Sequence, residues 1–208
     1  MKFHPLNPPP AGETYRLDSP LTDRIDYVLP ISPAGGGWGV DKKSCKTLTK
    51  KMKIKLLFIG KENLEELQAA SQDYISKINN YNNFEIEAIP YLKNTKSLSA
   101  ELQKKQEGEF FLKKITPQDI VVLLDECGKE FSSVQFSQFI QQRLNSGCKN
   151  LLFLIGGAYG FSEELYQRAN FTLSMSKMTF PHKLARLLFV EQLYRAFSIL
   201  KGEPYHHE

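Results

Sequence analysis

The sequence lacks the features that mark secreted, membrane-spanning or metal-binding proteins. Its 208 residues include only three cysteines, Cys45, Cys127 and Cys148, which are widely spaced and form no CxxC pair. An odd number of isolated cysteines argues against a disulfide framework and a zinc site, so we expect a reducing, cytoplasmic setting and no metal. No apolar run approaches the roughly 20 residues of a membrane span, and no charged-then-apolar leader is present. We therefore expect neither a membrane protein nor a secreted one.

A strong excess of one charge is also missing from most of the sequence. Residues 1–51 carry eight basic and five acidic side chains, whereas residues 52–208 carry nineteen and eighteen. A nearly neutral domain that binds nucleic acid must do so through a local patch. One such patch is residues 177–208, with five basic and three acidic side chains and three histidines.

Residues 1–51 differ in composition from the rest. They hold seven of the eleven prolines and the glycine-rich run at 35–39. Such a segment orders at a high entropic cost and buries little, so we expect an extension that is disordered or not native. Its last lysines, between 42 and 51, fit either a solvated linker or an RNA-binding arm. The folded domain is predicted to span 52–208.

From Met52 onward, short apolar runs alternate with helical periodicity. The spacing predicts strands at 54–59, 84–89, 120–124, 151–155 and 171–174, and helices at 62–78, 99–115, 132–144, 162–168 and 182–200. This order favours an α/β fold with a mainly parallel sheet and helices on both faces. Ligands of such sheets bind beyond the carboxyl ends of the strands. Three loops there have unusual composition: 125–129, 156–160 and 175–181.

The glycine-rich loop follows a predicted buried strand. Gly156, Gly157 and Gly160 precede a helix that Ser162 is placed to cap. Glycine lets the backbone approach a ligand and adopt a positive φ, but the pattern is neither GxGxxG nor a P-loop. A ligand-binding loop and a tight strand-to-helix turn both remain open.

The loop from Met175 to Pro181 is long, moderately apolar and rich in hydroxyl groups. Its residues suit contact with an adenine or a thioether, with backbone groups supplying hydrogen bonds. Alternatively, Met175, Met178 and Phe180 fill an edge of the core.

The last helix is apolar on nearly all sides. Twelve of the seventeen residues from Leu184 to Leu200 are apolar or aromatic, which is typical of a helix buried on two sides, the second side being another subunit. Its polar residues Glu191, Gln192, Arg195 and Ser198 form one narrow face. Arg186 stands opposite, and a buried arginine needs a partner, either an anion or an intersubunit carboxylate.

The end of the sequence concentrates histidine. His206 and His207 follow Tyr205, and His182 begins the last helix. Histidine moves protons near neutral pH, and a His–aromatic cluster suits RNA contacts. A frayed tail without function is the alternative.

Several motifs, in this order, carry a family resemblance. They are Leu124-Asp125 with Gly128-Lys129, Ile155-Gly156-Gly157-x-x-Gly160, the 173–182 loop, Glu191–Ala196 and Pro204-Tyr205-His206. Together they resemble the RlmH family of SPOUT-class methyltransferases, over residues 52–208. That family methylates N3 of pseudouridine 1915 in 23S ribosomal RNA. The sequence departs from it at Ala158 and Tyr159, where proline is usual after the glycine pair, and at His207, where a basic residue is usual.

The resemblance implies a C-terminal trefoil knot, a homodimer and the assembled 70S ribosome as substrate. It also implies that S-adenosylmethionine is bound by Leu124, Gly156, Gly157, Ser176, Lys177, Met178, Thr179, Phe180 and Pro181. The tail of one subunit is expected to reach the other subunit's site. The expected substrate-binding residues are Arg186, Arg195, Tyr205, His206 and His207.

Methylation of N3 requires removal of its proton, so the candidate catalytic residues are His206, His182 and Arg186. His206 is favoured as the base, and Arg186 as the residue that holds an anion. A flavodoxin-like nucleotide-binding module and a non-enzymatic ribosome- or RNA-binding protein are the alternative functions.

Overall fold

The computed structural model of the chain describes residues 52–60, 65–92 and 98–206, without the side chains of 65–70. The expected extension at 1–51 and His207 lie outside these ranges. The strands are β1 (Lys53–Ile59), β2 (Asn83–Ile89), β3 (Ile120–Glu130), β4 (Asn150–Ile155) and β5 (Phe171–Ser174). The helices are α1 (Glu65–Tyr81), α2 (Ala100–Leu112), α3 (Ser133–Asn145), α4 (Glu163–Arg168) and α5 (His182–Lys201).

The five strands form one parallel sheet in the order β2-β1-β4-β3-β5. The predicted alternation of strands and helices is confirmed, with bounds that differ by a few residues at most elements. Because a central strand of such a sheet is covered on both faces, its sequence reads as a nearly continuous apolar run. In β4, for example, all five residues from 151 to 155 are buried.

Two apolar clusters lie on opposite faces of the sheet. Alternate residues of β1 separate between them, with Phe58 in one cluster and Leu57 in the other. The first cluster includes side chains of α1, α3 and α5, and the second includes Phe111 of α2 and Leu165 of α4. The prediction of helices on both faces is therefore confirmed.

Helix α5 is buried within a single chain. No residue from Ala185 to Leu200 is exposed, because α5 packs on the sheet and against both α1 and α3. Ser198 was expected on the polar face but is fully buried, and its hydroxyl donates to the carbonyl of Tyr194 at 3.1 Å. None of the helices within the described ranges is long and apolar enough to cross a membrane.

Strand β3 is longer than predicted. The expected loop at 125–129 is part of β3, and pairing with β5 breaks between Leu124 and Lys129 before it resumes. Gly128 permits this irregularity, because a Cβ there would lie 2.6 Å from the carbonyl carbon of Leu173. The intervening residues, 125–128, are therefore left out of the ladder with β5.

Candidate active site

A cavity of about 590 Å³ lies at the carboxyl ends of β4 and β5 and beside residues 124–127 of β3. This is the edge at which open parallel sheets bind ligands. The three segments of unusual composition all contribute to it. The lining residues are Leu124–Cys127, Ile155–Phe161, Tyr166, Met175, Ser176, Met178–Phe180, His182 and Ala185.

Most of the residues predicted to bind the cofactor line this pocket. Those that line it are Leu124, Gly156, Gly157, Ser176, Met178, Thr179 and Phe180. Two others, Lys177 and Pro181, are not among the lining residues. The exposed side chain of Lys177 instead approaches Glu130, with a nitrogen-to-oxygen distance of 3.9 Å.

The glycine-rich loop is a tight turn that also forms part of the wall. The amide of Gly160 donates to the carbonyl of Gly157 at 3.1 Å, and Gly160 has a φ of 79°, in the left-handed region. At Gly157 a side chain has no room, because an added Cβ would lie 2.2 Å from Oε2 of Glu107. The tight-turn interpretation is therefore confirmed. The loop also brings backbone to the pocket, and ligand binding by it stays a prediction.

Hydroxyl groups order the loop that follows β5. The hydroxyl of Ser174 donates to the carbonyl of Ser176 at 3.0 Å, and the hydroxyl of Ser176 accepts from the amide of Met178 at 3.0 Å. Met178 is 71% exposed at the pocket, so the core-filling interpretation is wrong for this residue. Met175 is partly buried against the core.

Asp125 joins two walls of the pocket. One carboxylate oxygen accepts from the amide of Cys127 at 2.8 Å, and the other accepts from the hydroxyl of Tyr166 at 2.7 Å. Burial, together with this hydrogen bond, raises the pKa of Tyr166 above its ordinary value. Sequence reasoning missed Tyr166; its only signal was an aromatic side chain on the short helix beside the glycine-rich loop.

The charge of the pocket wall is negative. Asp125 and Glu126 carry carboxylates, and among the described residues that line the pocket none is lysine or arginine. His182 lies at the rim, exposed, on the first turn of α5. The wall therefore suits a neutral or cationic ligand better than an anionic one.

Arg186 lies one turn beyond His182 and does not line the pocket. Its Nε donates to the carbonyl of His182 at 3.2 Å, and its guanidinium stacks 4.1 Å above the ring of Phe58. Burial lowers its pKa. Its Nη1 is buried and has no hydrogen-bond partner in the part of the chain that the structure describes.

The predicted tail residues form a second cluster, around Arg195 in the second half of α5. Arg195 bonds Glu191 at 2.5 Å, stacks 4.8 Å from the ring of Tyr205, and approaches Nδ1 of His206 at 3.5 Å. The hydroxyl of Tyr205 donates to Glu191 at 3.1 Å. The hydrogen bond to Glu191 raises the pKa of Arg195.

The two clusters are well separated along α5. Arg195 follows His182 by 13 residues, which corresponds to about 20 Å of helix. One chain therefore brings His182 and Arg186 to the pocket region but keeps His206, Tyr205 and Arg195 away from it.

The chain is similar to known proteins along this same stretch. Residues 52–206 match the family model described as "Predicted SPOUT methyltransferase". A protein of Christiangramia forsetii named Ribosomal RNA large subunit methyltransferase H is 56% identical over 156 residues, 75% of this chain and 99% of the relative. A protein of the same name from Bacteroides thetaiotaomicron is 52% identical over 157 residues, 76% of this chain and all of the relative. A solved structure of a probable methylase family protein from Haemophilus influenzae aligns with a TM-score of 0.43 at 10% identity, over 76% of this chain and 71% of that one.

Proposed function

The chain belongs to the SPOUT methyltransferase family, and we propose that it methylates N3 of pseudouridine 1915 in 23S ribosomal RNA, with S-adenosylmethionine as donor. The observation that carries this proposal is the match of residues 52–206, together with relatives more than 50% identical that are named ribosomal RNA large subunit methyltransferase H. The resemblance to the RlmH family is confirmed by these relatives.

S-adenosylmethionine fits the residues of the pocket. The cavity of about 590 Å³ lies within the size range of small-molecule sites. Leu124, Ile155 and Phe161 offer apolar surface to an adenine, while the carboxylates of Asp125 and Glu126 complement a positive sulfonium. When bound, this cofactor supplies an electrophilic methyl group.

The chain's own residues hold the donor and exclude water. Gly156 and Gly157 bring backbone to the ligand without a side chain in between, and Leu124 forms the apolar wall beside them. The loop from Ser176 to Pro181, including Lys177 and Thr179, is proposed to close over it. A dry, preformed site of this kind holds the reacting atoms in position, which is the main contribution available for a direct transfer.

A base must remove the proton on N3 of the substrate. His182 lines the pocket, which supports it as one candidate to accept that proton. His206 is the preferred base in this proposal, and it requires the tail of a second copy, because the pocket of its own chain is too distant. Arg186 is proposed to hold a phosphate or the oxyanion that develops on the pseudouridine, because its buried Nη1 has no hydrogen-bond partner among the described residues.

The separation of the pocket from the tail cluster supports a homodimer. In a symmetric pair, the tail of each copy can complete the site of the other, bringing Arg195, Tyr205, His206 and His207 to the substrate. We propose this arrangement with a C-terminal trefoil knot, and the assembled 70S ribosome in the cytoplasm as the substrate. Residues 52–208 form the methyltransferase domain in this proposal, and residues 1–51 are an extension outside it.

Methyl transfer from labelled S-adenosylmethionine tests the function. Whole ribosomes, separated subunits and naked ribosomal RNA, all lacking the modification, are incubated with the full chain. We expect label on one pseudouridine, in whole ribosomes only. Label on another nucleotide would overturn the substrate assignment. No label together with no cofactor binding would overturn the enzymatic function and favour a binding protein.

A further inference from the structure

A buried carboxylate lies behind the glycine-rich loop. Glu107 of α2 is only 3% exposed. Its Oε1 accepts a hydrogen bond from Nε2 of Gln103 at 2.9 Å. Its Oε2 is buried and has no hydrogen-bond partner among the described residues, and no ion pair of Glu107 is found there. A carboxylate with an unsatisfied buried oxygen is costly, so its presence calls for a function.

This carboxylate is directed at the wall of the cofactor pocket. An ideal Cβ on Gly157 would lie 2.2 Å from Oε2, 2.9 Å from Cδ and 3.0 Å from Oε1 of Glu107. The carboxylate therefore packs against Cα of Gly157, within about 4 Å. Gly157 itself lines the pocket. Only the backbone of Gly157, which has no side chain, separates the carboxylate of Glu107 from the pocket.

The position of Glu107 lets its charge act on a ligand more strongly than the charges of Asp125 and Glu126, which line the pocket. Glu126 is exposed, so water screens it, and both oxygens of Asp125 already accept hydrogen bonds. Glu107 is shielded from water, and within the described part of the chain its Oε2 has no hydrogen-bond partner. A charge in such surroundings acts through a lower effective dielectric and over a longer distance than an exposed one.

We propose that Glu107 is a positioning residue that selects for the positive charge of the methyl donor. Methyl transfer forms a carbon–nitrogen bond to the substrate and breaks the carbon–sulfur bond. The donor is a sulfonium cation, and the product it leaves is a neutral thioether, S-adenosylhomocysteine. Glu107 stabilises the first and not the second, so the pocket binds the donor and releases the product. This inference rests on the proposed function, because it takes S-adenosylmethionine as the ligand.

Binding measurements on two matched variants test the proposal. Glu107→Gln keeps the size of the side chain and one acceptor oxygen for Gln103 but removes its charge. Glu109→Gln removes the same charge from an exposed position two residues later on the same helix. Isothermal titration calorimetry on the full chain measures the affinity of each variant for S-adenosylmethionine and for S-adenosylhomocysteine.

We expect Glu107→Gln to weaken binding of S-adenosylmethionine by about tenfold, the effect of one charge roughly 10 Å away at an effective dielectric of about 20. Its affinity for S-adenosylhomocysteine should stay within about twofold of the wild type. Glu109→Gln should change neither. A structural role for Glu107 would instead weaken both ligands alike.

Equal losses for the two ligands, or no loss for either, would overturn the inference. A second variant, Glu107→Asp, retains the charge and covers the case in which the glutamine variant does not fold. It should preserve the preference for the charged ligand, and a preference lost in a folded Glu107→Asp protein would count against the proposal. Failure of the proposed function is distinguishable. If the cofactor assignment is wrong, the wild type binds neither ligand, and if only the substrate assignment is wrong, the label moves to another nucleotide while both affinities stay as expected.

Discussion

Replacing Gly157 by alanine tests the close packing of the glycine-rich loop against the carboxylate of Glu107. The new methyl group would lie 2.2 Å from Oε2 of Glu107, so the carboxylate must retreat by about 1 Å. Glu107 has little freedom to do so, because it is 3% exposed and hydrogen-bonded to Gln103. Overpacking of this kind lowers the free energy of unfolding by about 1–3 kcal/mol. Urea denaturation followed by circular dichroism measures the loss.

A double-mutant cycle attributes this loss to the predicted partner. Glu107→Ala removes the obstructing carboxylate, and the alanine methyl at position 157 then occupies part of the vacated space. The double variant should therefore be more stable than the sum of the two single losses predicts, by about 1 kcal/mol or more. Strict additivity, or a Gly157→Ala protein as stable as the wild type, would refute the argument. Because Gly157 lines the pocket, Gly157→Ala should also bind S-adenosylmethionine more weakly than the wild type does.

Other contacts lead to three more predictions. His206→Ala should lower turnover by about 100-fold while leaving affinity for S-adenosylmethionine within twofold, and unchanged turnover would remove this histidine from the mechanism. Burial and the hydrogen bond to Glu203 raise the pKa of Tyr81 to about 12. The folded chain therefore keeps a proton that the unfolded chain loses, so the free energy of unfolding should fall between about pH 10 and 12. Tyr81→Phe should flatten that decline in pH-dependent urea melts, and an unaltered slope would contradict the assignment. Tyr166→Phe removes the donor to Asp125 and should cost about 1 kcal/mol in the same assay, whereas an unchanged midpoint would show that the contact is not stabilising.

Features that depend on neighbouring residues in the sequence could be predicted. The strands and helices follow from apolar periodicity, and the loops that line the pocket follow from the rule that parallel strands present ligands at their carboxyl ends. The expected cofactor loop at 175–181 lies at the pocket with most of its residues, although Lys177 and Pro181 do not line it. The prediction that Ser198 lies on the polar face of α5 was wrong. Its position along the helix does not reveal that the hydroxyl can donate to the carbonyl of Tyr194 and so be buried.

Contacts between distant positions were not foreseen. Glu107 and Gly157 are fifty residues apart, and Asp125 and Tyr166 are forty-one apart. In the sequence, Glu107 is one of several charged residues of an ordinary surface helix. Only the packing of α2 behind the glycine-rich loop distinguishes it from Glu109, which has the same chemistry and remains exposed.

The sequence by itself determined the α/β class, the run of strands and helices and the family, because these depend on local periodicity and on short motifs. The tertiary structure decided the strand order β2-β1-β4-β3-β5, the continuation of β3 through Glu130, and the distance between His182 and the tail cluster. It also decided which carboxylates face the pocket and which face water. The physical reason is that burial, the local dielectric and close contacts between side chains depend on residues that are distant in the sequence. Local sequence patterns do not identify those neighbours.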